Sequence, residues 1–207
     1  LLVMNARKQS RYLMAFSVLI ITFTVTVHNV FSLLALVIFA IFILLFKNKK
    51  RNFLILALGL LLSSYFLIPA LTELNLTYAA QNAQRTHYED HFLCANQIWS
   101  SSKWEYSGST AGCVDDGMPF TLGKIHIVLG MLGMAIFLFD VFKNKIKKFV
   151  SKRASLFVLV LTAVALFLTT YQSAFIWNIL SPVLSLFQFP WRFLLFGVFG
   201  LAYFIAY

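Results

Sequence analysis

The sequence predicts an all-α, polytopic integral membrane protein of about six transmembrane helices. One large extracytoplasmic loop is expected at residues 70–121, and a short interfacial helical segment at residues 172–191 precedes the last span. Three observations carry this expectation. The 207 residues are 60% hydrophobic with a mean hydropathy of +0.83, and only 12% are charged, against roughly 25% in soluble domains. Too few polar residues remain to cover an apolar core in water, so the uncovered surface is expected to face lipid. Long apolar runs recur along the chain, and the cations cluster beside them at intervals that match alternate crossings.

The first run, residues 12–46, would extend about 52 Å as one helix, well past a hydrocarbon core of roughly 30 Å. Two helices fit better, 12–27 and 30–46, with the break at His28 and Asn29, the strongly polar pair in the run. A third span, 53–68, is expected to end at Pro69. From residue 70 the composition turns to Asn, Gln, Ser, Thr and Gly, and six of the seven acidic residues fall before residue 122. A fourth span is expected at 122–142, a fifth at 154–171 and a sixth after Arg192. Between the last two, Pro182 and Pro190 interrupt an apolar stretch, which suits one or two short interfacial helices rather than another crossing. The chain begins at Leu1 and stops at Tyr207 inside an apolar run, which reads as a piece of a longer protein.

Charge tests this map. The net charge of +10 would suggest nucleic acid as a partner in a soluble protein. Thirteen of the 17 cations, however, form three clusters: Arg7, Lys8 and Arg11; Lys47, Lys49, Lys50 and Arg51; and Lys143, Lys145, Lys147, Lys148, Lys152 and Arg153. Alternation puts all three on the inner side, giving +12 inside and −2 outside, and no nucleic-acid partner is needed to explain them. A membrane is the expected location, with the basic clusters on its cytoplasmic side and the lipid bilayer as the first partner.

Both cysteines, Cys94 and Cys113, lie in the outer loop, where an oxidising compartment favours a disulfide over two free thiols. The bridge would close a 20-residue loop and stabilise it by about 3 kcal/mol in the chain-entropy model. The same outer face should gather His28, Asn29, Glu73, His126, Gln188, Trp191 and Arg192. Arg192, behind Pro190 and Trp191, suits bidentate capture of a phosphate, or equally a snorkelling arginine in an aromatic belt. His28 and His126 are candidate proton-transfer groups or polar interfacial residues, and Glu73 a candidate general base or a solvated carboxylate. Trp99, Trp104 and Tyr106 offer flat faces for sugar rings or for packing. Asp115, Asp116 and Gly117 read first as a turn. No metal-ligand set is evident; a divalent cation is left open.

The stretch Gln188-Phe189-Pro190-Trp191-Arg192-Phe193-Leu194 resembles a bacterial and archaeal family of polytopic membrane proteins labelled "6-pyruvoyl-tetrahydropterin synthase related", a label that fits nothing in this chain. The family is similar to the type C membrane glycosyltransferases. Further matching stretches are the His28-Asn29 turn, residues 67–73, and the loop passage through Gln97, Trp99, Trp104, Gly108 and Asp116 to His126. Lys103 stands before Trp104 where the family pattern leads one to expect a proline.

The resemblance implies a donor in which a sugar is linked to polyprenyl phosphate, used at the outer face of the membrane. Arg192 would hold the donor phosphate, and His28, Glu73 and His126 would be candidate catalytic groups. Trp99, Trp104, Asp116, Gln188 and Trp191 would contact acceptor or sugar. The acidic residue that type C enzymes carry in their first outward loop would lie before Leu1. A transporter or lipid flippase, and a non-catalytic membrane scaffold, are the alternatives.

Overall fold

The computed structural model describes residues 10–27, 29–45, 48–73, 76, 87–101, 112–113, 118–145 and 151–207. These residues are helical or in turns, with a single isolated β-bridge, so the fold is all-α as expected. The chain divides into two compact units, Leu1–Gln84 and Arg85–Tyr207.

In the first unit the described helices are α1 (Arg11–Val27), α2 (Asn29–Leu45), α3 (Lys49–Leu62) and α4 (Ser64–Thr72). The first helix ends at Val27 and the second begins at Asn29, on either side of the expected break. Ser32 of α2 donates from its hydroxyl to the carbonyls of Thr24 (3.0 Å) and Val25 (2.6 Å), satisfying acceptors that the end of a helix leaves unpaired. Between α2 and α3, Asn48 takes a left-handed conformation (φ 63°, ψ 42°), which asparagine tolerates better than most residues. The Arg51 guanidinium donates to the Ser10 carbonyl at 2.7 Å, so α1 and α3 start side by side and run parallel.

The core of this unit is Val18, Ile21, Val25 and Ile55. It forms because Gly59 lets α3 approach α1 closely: a Cβ there would stand 2.5 Å from Ile21 Cγ2. One expectation is corrected. The third helix does not end at Pro69, which lies inside α4; it breaks at Ser63, where α3 and α4 bend by 66°. The buried Ser63 hydroxyl donates to the Gly59 carbonyl at 2.6 Å, a back-bond of the kind that bends helices.

In the second unit the chain passes through a 3-10 turn (Tyr88–His91) and a short helix α5 (Ala95–Trp99). It then enters α6 (Lys124–Phe142) and α7 (Lys152–Leu168). A run of short pieces follows: Tyr171–Ser173 (3-10), α8 (Ala174–Ile179), α9 (Ser181–Leu184), Ser185–Phe187 (3-10) and Pro190–Phe193 (3-10), before α10 (Leu194–Ile205). Ser181–Phe187 and Pro190–Ile205 form a helix pair bent by 75° that together is long and apolar enough to be one broken span.

Glycines seat α10 between its neighbours. A Cβ at Gly133 of α6 would overlap the Phe204 carbonyl, and one at Gly200 of α10 would overlap the Thr162 hydroxyl of α7. Gly130 against Leu201 and Gly133 against Phe204 show that α6 and α10 run parallel. Gly197 against Leu166 and Gly200 against Thr162 show that α7 runs opposite to both. This alternation is the one that the charge clusters predict. Lys143, Lys145, Lys152 and Arg153 gather at one end, and the loop segments and Arg192 at the other.

Length is where the expectation of six crossings meets a limit. Among the described residues one helix, α6, is both long and apolar enough to cross a bilayer, or up to three spans if each bent pair counts as one. The 17-residue helices α1, α2 and α7 rise only about 25 Å at 1.5 Å per residue.

Candidate functional site

The loop is fastened to the end of α7 by backbone and aromatic contacts. Leu93 N–H donates to the Thr169 carbonyl at 2.8 Å, and Tyr171 N–H to the Leu93 carbonyl at 3.3 Å. Phe92 and Trp177 are buried edge to face, and Trp177 Nε1 donates to the Leu168 carbonyl at 3.0 Å. Tyr88 stacks on Trp177 and donates to Asn178 Oδ1 at 2.9 Å. Burial, with Glu89 alongside, pushes the Tyr88 phenol above its ordinary range and keeps it a donor.

Cys94 and Cys113 are joined in a disulfide, with Cα atoms 5.4 Å apart. This bears out the expected pairing. Asn96 Nδ2 donates to the Cys113 carbonyl at 3.3 Å, and Gly112 N–H donates to the Tyr171 hydroxyl. Cys94 also begins α5: its backbone N–H is capped by Gln97 Oε1 at 2.7 Å.

On this platform sits the Gln188–Arg192 turn. Gln188 has φ 61° and ψ −53°, and Phe189 N–H donates to the Phe187 carbonyl at 2.6 Å. Together these define a γ-turn of the rarer, positive-φ hand, a strained geometry for a residue with a side chain. Arg192 closes over it. One guanidinium nitrogen, Nη1, donates to both the Phe187 carbonyl (2.9 Å) and Gln188 Oε1 (3.0 Å). The guanidinium carbon lies 4.7 Å from the centre of the Phe189 ring, a cation–π contact. That ring stacks on Trp191 with centroids 5.2 Å apart and meets His91 edge to face.

Among the described residues no carboxylate pairs with Arg192, and its Nε and Nη2 donate to none of them. The half-buried cation therefore keeps one edge of its fork open. Two further polar atoms near this end are buried without a partner: Trp191 Nε1 and His126 Nε2. Buried unpaired donors and acceptors are costly in a finished core, so a ligand or water is the expected partner for each.

The other predicted residues divide plainly. Gln188 and Trp191, expected to touch sugar, are engaged within the turn, Gln188 on Arg192 and Trp191 against Phe189 and Phe120. Trp99 is 44% exposed and borders an open groove of about 420 Å³ with Ile98, Ile127, Leu166, Phe167 and Gln172. The groove is almost wholly apolar, so it suits a hydrocarbon chain better than a sugar. Ile98 and Leu166 also pack against the Leu93, Phe120 and Leu194 cluster that includes Trp191.

Glu73 belongs to the first unit, capping α4 in an exposed position beside a smaller hollow lined by Tyr65, Phe66 and Pro69. His28, Trp104 and Asp116 lie outside the described residues. Among the described residues, no group of three His, Cys, Asp or Glu side chains is arranged to hold a metal ion.

Sequence reasoning missed Phe189 and the Phe187 carbonyl as partners of Arg192. The three-residue spacing from Phe189 to Arg192 in a short helical turn was the available signal. Compared with protein-family models, curated proteins and solved structures, the chain matches none.

Proposed function

We propose that this is a polytopic protein of a prokaryotic cytoplasmic membrane that binds a polyprenyl-phosphate-linked sugar at its outer face and transfers the sugar, as a membrane glycosyltransferase. The observation that carries the reading is Arg192: a half-buried guanidinium, uncompensated by any described carboxylate, with a two-pronged edge open. That fork matches the paired oxygens of a phosphate. The apolar groove beside Trp99 supports a lipid-borne phosphate, because it offers a place for the first units of an isoprenoid chain. Membrane insertion is supported by α6, which leaves Ile125, Val128, Met131, Leu132, Ile136 and Phe139 exposed.

In such a transfer an acceptor hydroxyl attacks the anomeric carbon, and the bond from that carbon to the phosphate oxygen breaks. The bonding pair leaves on the phosphate, and the hydroxyl proton passes to a base. Arg192 would stabilise the charge that builds on the leaving phosphate. Of the candidate bases read from the sequence, His126 lies in the same unit as Arg192, and its buried Nε2 has no partner among the described residues.

The test is a transfer assay with a polyprenyl-phosphate sugar and the full-length protein in lipid nanodiscs. Arg192→Ala should lower transfer about 100-fold or more, the cost of losing a donor aimed at developing charge. Arg192→Lys should also be poor, because a point charge does not replace a fork. Near-normal transfer by Arg192→Ala would overturn the assignment.

A second reading, a lipid flippase or transporter, is favoured by the two bent helix pairs, with breaks of 66° and 75°, since broken helices line substrate paths in transporters. Movement of the intact lipid between leaflets, with its sugar retained, would favour it.

A further inference from the structure

We infer that Gln188 is a positioning residue for Arg192, and that the strained turn at Gln188 serves to aim the free Nε–Nη2 edge of the guanidinium at a phosphate oxyanion. The inference rests on the reading of Arg192 as a phosphate-binding residue.

A planar guanidinium is fully oriented once its plane and one corner are fixed. The Phe189 ring, with its centre 4.7 Å from the guanidinium carbon, bounds it on one side. The corner is set by Nη1, whose two hydrogens meet the Phe187 carbonyl and Gln188 Oε1 at 2.9 and 3.0 Å. Both acceptors belong to the γ-turn, whose positive φ at Gln188 (61°) brings the side-chain oxygen of one residue and the carbonyl of the residue before it to the same nitrogen. Three N–H donors of the fork then remain, on Nε and Nη2, pointing in one fixed direction.

The residue type at 188 is informative. Glycine would occupy the positive φ without strain, and asparagine with less, yet neither brings an amide oxygen to that reach. Glutamate would reach equally well, but its charge would neutralise the guanidinium. Glutamine is the residue that supplies a neutral acceptor at this distance, and backbone strain is retained to keep it there.

The experiment measures binding and thermal stability together, on the full-length protein in phosphatidylcholine nanodiscs, with polyprenyl monophosphate as probe and inorganic phosphate as a separate arm. Gln188→Gly should weaken lipid binding about tenfold, the loss of one charge-assisted hydrogen bond, while the melting temperature stays level or rises as the turn relaxes. Gln188→Glu should keep the fold and bind as poorly as Arg192→Ala. A purely structural role predicts instead that binding and melting temperature fall together.

If Gln188→Gly binds like the wild type while Arg192→Ala does not, the positioning role is overturned and the phosphate-binding reading stands. If the wild type binds neither probe, both are overturned. If Gln188 governs binding of inorganic phosphate as strongly as that of the lipid, the positioning role is supported and the ligand is free phosphate rather than a headgroup.

Discussion

Arg192 and Tyr88 show how a single polar side chain holds its form at this end of the second unit. Arg192 spends one nitrogen on two acceptors of its own turn and lies on an aromatic ring, which leaves its charge directed rather than cancelled. Tyr88 is held protonated by burial and by Glu89, with its hydroxyl on Asn178. The sign follows from linkage. The phenol's affinity for its proton is raised in the folded state, so its contribution is fully present below the ordinary value of 10.0. That contribution is lost as pH rises through the higher folded value. Unfolding followed between pH 9 and 12 should show a larger alkaline loss of stability for the wild type than for Tyr88→Phe. Identical profiles would remove Tyr88 from the loop's anchorage. The Gln188 turn was not legible in the sequence, because glutamine carries none of the left-handed preference that marks Gly or Asn; Arg192 was singled out by its place behind Pro190 and Trp191 together with the resemblance, with a snorkelling arginine as the competing reading.

The reading of helix breaks from polar residues and prolines in apolar runs agrees with α1 ending at Val27 and α2 starting at Asn29, and with the short helical pieces between Tyr171 and Phe193. It failed at Pro69, since the bend there is set by the Ser63 hydroxyl turning back on Gly59, a competition among local hydrogen bonds that apolar patterning does not display. Helix direction was legible because charge is asymmetric along the chain. The seating of α10 was not, since it depends on which glycines face which neighbour across long separations. Gly133→Ala should therefore destabilise the α6–α10 pair by about 1–3 kcal/mol, the usual cost of overpacking, because its new methyl meets a backbone carbonyl that cannot swing aside. Thermal unfolding in detergent measures this, and an unchanged midpoint would show that the pair is not closely packed there. The loop adds a covalent tie. Without reductant Cys94 and Cys113 should resist alkylation, and both should label after reduction.

Across the molecule, composition pointed to the all-α class, and within the second unit the helix directions run as the placement of cations predicts. Neither signal could specify how the loop is fastened to α7, because the Tyr88, Phe92 and Trp177 cluster joins segments about 85 residues apart and leaves no periodic trace. That fastening places α5 and its groove beside the cluster containing Trp191. The groove and the Arg192 turn therefore lie on one packed cluster within the same unit. On the proposed reading the turn at residues 187–192 would supply charge and direction, and the groove would supply the hydrocarbon contact for a lipid carrier of the phosphate.

Photo-crosslinking tests that union of phosphate and chain. A polyprenyl phosphate carrying a photoreactive group beside the phosphate would be added to the full-length protein in nanodiscs, and the labelled peptides mapped. The account predicts label on residues 187–194 and on the groove residues Ile98 and Leu166, lost from both in Arg192→Ala. Label spread along the exposed face of α6, at Ile125 or Met131, and unchanged in Arg192→Ala, would contradict it.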